Sequence, residues 1–127
     1  MELDLVSYFL PARLLEYFTI VSVQEKKEET TKKKIIEIHL EEKNQLPDGY
    51  SRTDYESKGF SSQSRIQDFP IRGKAVYLII KRRRWRNKET RKEIRSDYSF
   101  IAEGSKLTKE LSDFLKGTGR GPGRYDK

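Results

Sequence analysis

Apolar residues stand at Leu3, Val6, Phe9/Leu10, Leu14 and Phe18, spacings of three and four that predict a helical stretch with one apolar face. Pro11 divides it, because proline suits a first turn and disrupts a helix interior. A short helix is expected near 3–9 and a second near 11–18. From Phe18 the period changes to two. The chain then enters residues 25–34, which carry no apolar side chain and predict a solvated hairpin tip. Ile36, Ile38 and Leu40 alternate with Glu37, His39 and Glu41, the pattern of a half-buried strand able to pair back on 19–24.

Residues 42–63 contain Pro47, two glycines and few apolar groups, and predict a long irregular connection. A short strand at 66–69 is expected to precede a Pro-Ile-Arg-Gly turn. Val76, Leu78 and Ile80 then face one side while Tyr77 and Ile79 face the other, as in a central strand covered on both faces. Asn87 to Lys92 predicts a polar turn, and Ile94, Tyr98, Phe100 and Ile101 a return strand. Segments 74–85 and 93–102 thus read as a second hairpin with basic residues clustered at its tip. Ser105 is the expected N-cap of a helix near 106–116, with Leu107, Leu111, Phe114 and Leu115 on one face and Gly117 at its end. The whole predicts an α+β domain over 1–116: short N-terminal helices, two antiparallel hairpins in a small twisted sheet, and one C-terminal helix. A disordered Gly/Arg-rich tail is expected at 117–127.

Charge changes the picture more than length does. The 127 residues suffice for one modest core. Residues 1–63 hold 9 Lys/Arg and 12 Asp/Glu, a balance of −3, and residues 64–127 hold 18 and 8, a balance of +10. Lys81, Arg82, Arg83, Arg84 and Arg86 put five cations within six residues around the only tryptophan, Trp85. Such a cluster repels itself unless something negative sits among it, so a polyanion, nucleic acid first, is the expected partner. Arginine forks suit phosphate, and Trp85 offers either a core filler or a stacking face. Arg72 and Lys74, at the other end of the strand, are secondary candidates for phosphate contact and equally ordinary turn charges.

No catalytic constellation is visible: there is no Gly-rich phosphate loop, no Ser/His/Asp order and no metal-ligand spacing. With no cysteine and the single His39, neither a disulfide nor a thiolate zinc site can form, and no metal or cofactor is expected. His39 falls on the polar face of its strand and reads as solvated, and Asp68 reads as a turn-capping residue. The acidic start and the shortness of the apolar runs predict neither signal peptide nor membrane span, hence a cytoplasmic location and no small-molecule substrate.

At Asp68-Phe-Pro-Ile-Arg-Gly-Lys-Ala-Val-Tyr-Leu78 followed by Lys81-Arg-Arg-Arg-Trp85, the chain resembles the N-terminal region protein of ISAon-type insertion-sequence transposases. The resemblance extends to Met1-Glu-Leu-Asp-Leu-Val-Ser-Tyr-Phe-Leu-Pro11, Ile38-His-Leu-Glu-Glu-Lys-Asn44, Ser57-Lys-Gly-Phe60, Leu107-Thr108 and Phe114-Leu-Lys116. The central segment is also similar to the zinc-binding N-terminal region of ISL-type transposases, although the flanking cysteine pairs are absent here. That likeness implies a zinc-ribbon-like module without zinc, with packing of Phe60, Phe69, Tyr77, Trp85 and Tyr98 in place of the metal. It further implies a non-catalytic part that binds DNA at element ends during transposition, the acidic catalytic triad being on a separate or downstream chain. Two alternatives stay open: a protein-interaction subunit docking on that catalytic chain through the apolar face of 107–115, and an RNA-binding module.

Overall fold

In the computed structural model, residues 6–11, 14–61, 63–96 and 107–119 are described. Seven strands follow a 3₁₀ turn at Ser7–Phe9 and a single helical turn, α1 (Leu14–Tyr17). They are β1 (Phe18–Lys27), β2 (Lys34–Glu42), β3 (Tyr55–Phe60), β4 (Ser64–Ile71), β5 (Lys74–Lys81), β6 (Arg83–Asn87) and β7 (Glu93–Ile94), and helix α2 (Lys109–Gly119) comes last. The α+β architecture of hairpins and a C-terminal helix is the one the pattern predicts.

Four strands make the main sheet in the order β1-β2-β5-β4, and three make a second, β3-β6-β7. The first hairpin, β1 with β2, forms where the alternation placed it, with a bulge at Val21 that breaks the register between Ile20 and Ser22. The unexpected pairing is β2 with β5, which run parallel so that Ile36, Ile38 and Leu40 stand beside Val76, Leu78 and Ile80. Parallel neighbours need a long crossover. Residues 43–73 supply it, and within them lie β3 and β4, where the composition had predicted irregular chain around β3.

That one face of the main sheet holds the core. Leu14, Phe18, Ile38, Leu40, Ile66, Val76, Leu78 and Ile80 are buried together, with Val6, Leu10, Leu15 and Tyr17 packed against them from the N-terminal segment. The opposite face is mixed, with Ile35 and Ile79 buried among polar and aromatic groups: Arg65 lies over the Tyr77 ring at 3.7 Å. Beside it His39 shares the Glu37 carboxylate with Lys26, at 3.2 and 3.1 Å. Burial opposes ionisation of Glu37, but hydrogen bonds from Lys26 and His39 outweigh it and hold the carboxyl below its usual range. His39 is therefore half-buried and engaged, where a freely solvated ring was expected.

Strand β4 turns into β5 through Arg72-Gly73, with φ of 52° and 80°. Positive φ at both central residues is the two-residue hairpin geometry that matches sheet twist, and Gly73 reaches it without strain. Helix α2 begins later than expected. Its cap is Thr108, whose hydroxyl accepts from Leu111 N–H at 3.3 Å and donates to the Asp68 carboxylate at 2.8 Å; Ser105 lies outside the described residues. The helix also runs through Gly117 to Gly119, so Gly117 does not end it, and residues 120–127 lie outside the described residues.

Asp68 is buried beneath that cap, and desolvation raises its pKa despite the hydrogen bonds from Thr108 and from the Phe69 amide. The folded chain therefore holds this proton to a higher pH than the unfolded chain does. Asp68 is expected to lower stability as pH rises from the ordinary carboxylate value through the raised one. Chemical denaturation between pH 3 and 7 should show this component in the parent and lack it in Asp68→Asn; an identical pH slope in both would refute it.

Candidate nucleic-acid interface

Residues 81–95 hold nine cations and two carboxylates, a balance of +7. The other 112 residues hold 18 of each sign, so the net charge of the whole chain is concentrated in this segment. Structurally it is the end of β5, all of β6, the 87–92 turn and β7. Only Arg82 separates β5 from β6, so one length of chain crosses from the main sheet into the centre of the second. The sequence placed the five-cation run at a hairpin tip. It is instead largely strand, and carboxylates or backbone carbonyls elsewhere in the chain hold each of its cations against the protein.

The partners are specific. Lys81 stands 4.0 Å from Glu41, its lateral neighbour across the parallel pair. Arg82 donates from its guanidinium to the Ser96 carbonyl, and its own carbonyl accepts from Ser61 N–H at 2.7 Å. Arg83 and Glu42 grip each other reciprocally: the Arg83 amide donates to Glu42 Oε1 at 2.8 Å, and Arg83 Nε donates to the Glu42 carbonyl at 2.9 Å. The Arg83 guanidinium also sits 4.5 Å over the Phe60 ring. Arg84 donates to the Lys58 carbonyl at 3.0 Å and approaches Glu93 at 3.6 Å, while Arg86 reaches the same carboxylate at 3.0 Å. A hydrogen bond from Arg86 and the charges of Arg84, Arg86 and Lys58 hold the Glu93 carboxyl below its usual range.

Trp85, on the opposite face of β6 from Arg84 and Arg86, is 1% exposed, and its indole N–H donates to Asn44 Oδ1 at 3.2 Å. It is core. Arg82, Arg83 and Arg84 are half-buried, where at least two were expected to be exposed. The outward row of β6, Arg84 and Arg86, keeps partial solvent access, as does Lys81. Of the secondary candidates, Arg72 is exposed in its turn, and Lys74 pairs with Glu25 at 2.8 Å. The aromatics proposed to replace a metal do not cluster: Phe60 lies under Arg83, Tyr77 under Arg65, and Phe69 meets Phe114 at 5.5 Å. Tyr98 and the return strand beyond residue 96 fall outside the described residues. Among the described residues no group of His, Cys, Asp or Glu is arranged to hold a metal ion, and no helix is long and apolar enough to cross a membrane.

Sequence reasoning passed over Lys88, Arg91 and Lys92, which are exposed in the turn, and Arg95, exposed just after β7. It also passed over Glu42, Asn44 and Glu93, which fix the basic strand. For the turn the signal was present, since Thr90-Arg91-Lys92 repeats the Thr31-Lys32-Lys33 of the first hairpin. Comparison of the chain with protein-family models, with curated proteins and with solved structures finds no match in any of the three.

Proposed function

We propose that the chain binds duplex DNA, as the non-catalytic N-terminal part of an insertion-sequence transposase that helps to recognise element ends. The observation that carries the DNA reading is the confinement of the net positive charge to residues 81–95, on strands braced against the core. The transposase assignment is supported by the sequence resemblance alone. Lys81, Arg84 and Arg86 are the strand residues placed to reach phosphates. Two guanidinium groups share the one exposed Glu93 carboxylate, so a phosphate oxygen can take up Arg84 or Arg86 while the other stays on Glu93. Arg82, Arg83 and Trp85 hold the strand in place. Breaking and joining of DNA would fall to a catalytic chain or region elsewhere.

The expected result is duplex binding whose log affinity falls against log salt with a slope of about −4, as for four or five neutralised phosphates. Fluorescence anisotropy with a labelled duplex between 50 and 200 mM salt measures it. A salt-independent or undetectable interaction at low ionic strength would sink the reading.

A docking subunit is the second reading. It is favoured by Phe114, Leu115 and Phe69, which are 54%, 48% and 36% exposed at the α2–β4 junction, whereas Leu111 is buried. Phe114→Ser should then release a catalytic partner; on the first reading alone it releases none, and DNA binding is unchanged on either.

A further inference from the structure

The 87–92 turn has a structural twin. In the β1–β2 connection, Glu28 N–H donates to the Lys33 carbonyl and Lys32 N–H to the Glu28 carbonyl, both at 2.8 Å. In the β6–β7 connection, Asn87 N–H donates to the Lys92 carbonyl at 2.8 Å and Arg91 N–H to the Asn87 carbonyl at 2.9 Å. Lys32 and Arg91 occupy the same left-handed position, with φ of 62° and 67°. Thr31 and Thr90 each accept, through their hydroxyls, from the amide two residues on, at 3.2 and 3.3 Å.

Charge, not backbone, distinguishes the two. Residues 28–33 read Glu-Glu-Thr-Thr-Lys-Lys, two acids with two cations. Residues 87–92 read Asn-Lys-Glu-Thr-Arg-Lys, three cations with one acid. The twin carries cations at the positions of 91 and 92 too, Lys32 and Lys33, but has Glu29 where Lys88 stands, so the geometry of the turn does not require a cation at 88. Lys88, Arg91 and Lys92 are exposed, and among the described residues none makes an ion pair, in contrast to Lys81, Arg84 and Arg86 beside them. The turn that carries them is also the better fastened. Asn87 Oδ1 accepts from the amides of Glu89 and Thr90 at 2.8 and 2.9 Å, and the Lys88 amide donates to the Asp54 carbonyl at 2.8 Å.

We propose that the 87–92 turn is a preformed phosphate-docking element for duplex DNA, with Lys88, Arg91 and Lys92 as its contacts. This rests on the DNA reading above and moves its principal contact from the arginine strand to the turn. A fixed backbone lowers the ordering cost of binding, and unpaired cations need not release an internal carboxylate first. No aromatic or amide side chain aimed at a base is implied, so the contact is blind to sequence.

The test compares two variants of equal charge on the whole chain. One is Lys88→Gln/Arg91→Asn/Lys92→Gln. The other is Lys32→Asn/Lys33→Gln/Lys34→Gln in the twin turn, asparagine being tolerated at the left-handed position in each. By anisotropy with a labelled duplex, the first should bind about ten-fold or more weakly, with a salt slope flatter by about two to three. The second should stay within about two-fold of the parent, a change small on the scale of a lost phosphate contact. Equal loss in both variants would show bulk charge at work and overturn the assignment. Parental binding by the first would overturn it too, leaving the DNA reading intact. A parent that binds no DNA at 50 mM salt would instead remove the reading on which the assignment stands. The single change Lys88→Gln leaves the left-handed residue untouched and should still weaken binding about three-fold, so a poorly folded triple variant does not decide the matter.

Discussion

Trp85→Ala is expected to destabilise the fold by about 3–5 kcal/mol, a large part of the roughly 5–15 kcal/mol that holds an ordinary domain folded. The indole is the largest of the fully buried side chains and stands mid-strand in β6, between Ser57 on β3 and Ile94 on β7. Its loss opens a cavity at the centre of the second sheet and leaves Asn44 Oδ1 without its donor. Trp85→Phe refills part of the space but not the hydrogen bond, and should cost less, about 1–3 kcal/mol. Circular dichroism in a denaturant series measures both. In the parent, emission from this only tryptophan should be blue-shifted, poorly quenched by iodide and unchanged when DNA is added. Strong quenching, or a Trp85→Ala protein as stable as the parent, would return Trp85 to the surface and to nucleic-acid stacking.

The second large effect belongs to Glu42. Its carboxylate is 2% exposed and accepts the Arg83 amide, while the Arg83 side chain returns a hydrogen bond to the Glu42 carbonyl. Removing the carboxylate leaves the Arg83 amide without its acceptor, while the bond to the residue-42 carbonyl survives. Glu42→Ala is therefore expected to cost about 1–3 kcal/mol, the penalty of an unsatisfied buried donor. Glu42→Gln keeps an oxygen to accept the amide, and should recover a good part of that loss. Lys81→Ala, which removes an exposed cation 4.0 Å from Glu41, should change stability by no more than about 0.5 kcal/mol. The contrast is the informative quantity, because Arg83, which Glu42 holds, and Lys81 belong to one basic run in the sequence. If denaturation midpoints of Glu42→Ala and Lys81→Ala coincide, the structural role assigned to Arg83 is wrong.

The first hairpin, the β4–β5 turn and the two-sided burial of β5 were legible because each is a local pattern: period-two alternation in Ile36, Ile38 and Leu40, and a Gly at the position that needs positive φ. Burial of Ile79 on the face opposite Val76, Leu78 and Ile80 follows the same alternation. What could not be read is non-local. Nothing in β2 or β5 announces that they lie side by side in parallel, since the pairing is made by apolar faces that would suit either direction. The basic run looked like a tip because its alternation is disguised. On β6 Arg84 and Arg86 face outward, and Trp85 faces inward beside Arg83, whose amide and side chain are both held by Glu42, 41 residues earlier. Without that partner in view, an inward Arg83 is indistinguishable from an exposed one. The cap of α2 was misplaced for a similar reason: Thr108 is anchored by the hydrogen bond its hydroxyl donates to Asp68, 40 residues away.

The parallel pairing of β2 with β5 also sets an order of events during synthesis. The β1–β2 hairpin is complete once residue 42 has been made, but its second neighbour is not complete until residue 81. At ribosomal rates of roughly 5–20 residues per second, that leaves a bare edge and an uncovered apolar face for about 2–8 s. An edge strand exposed for seconds among nascent copies of itself invites mispairing. Lys32, Lys33 and Lys34, at the turn and the first residue of β2, put three like charges where another copy would have to align, which makes them gatekeepers of the unfinished chain.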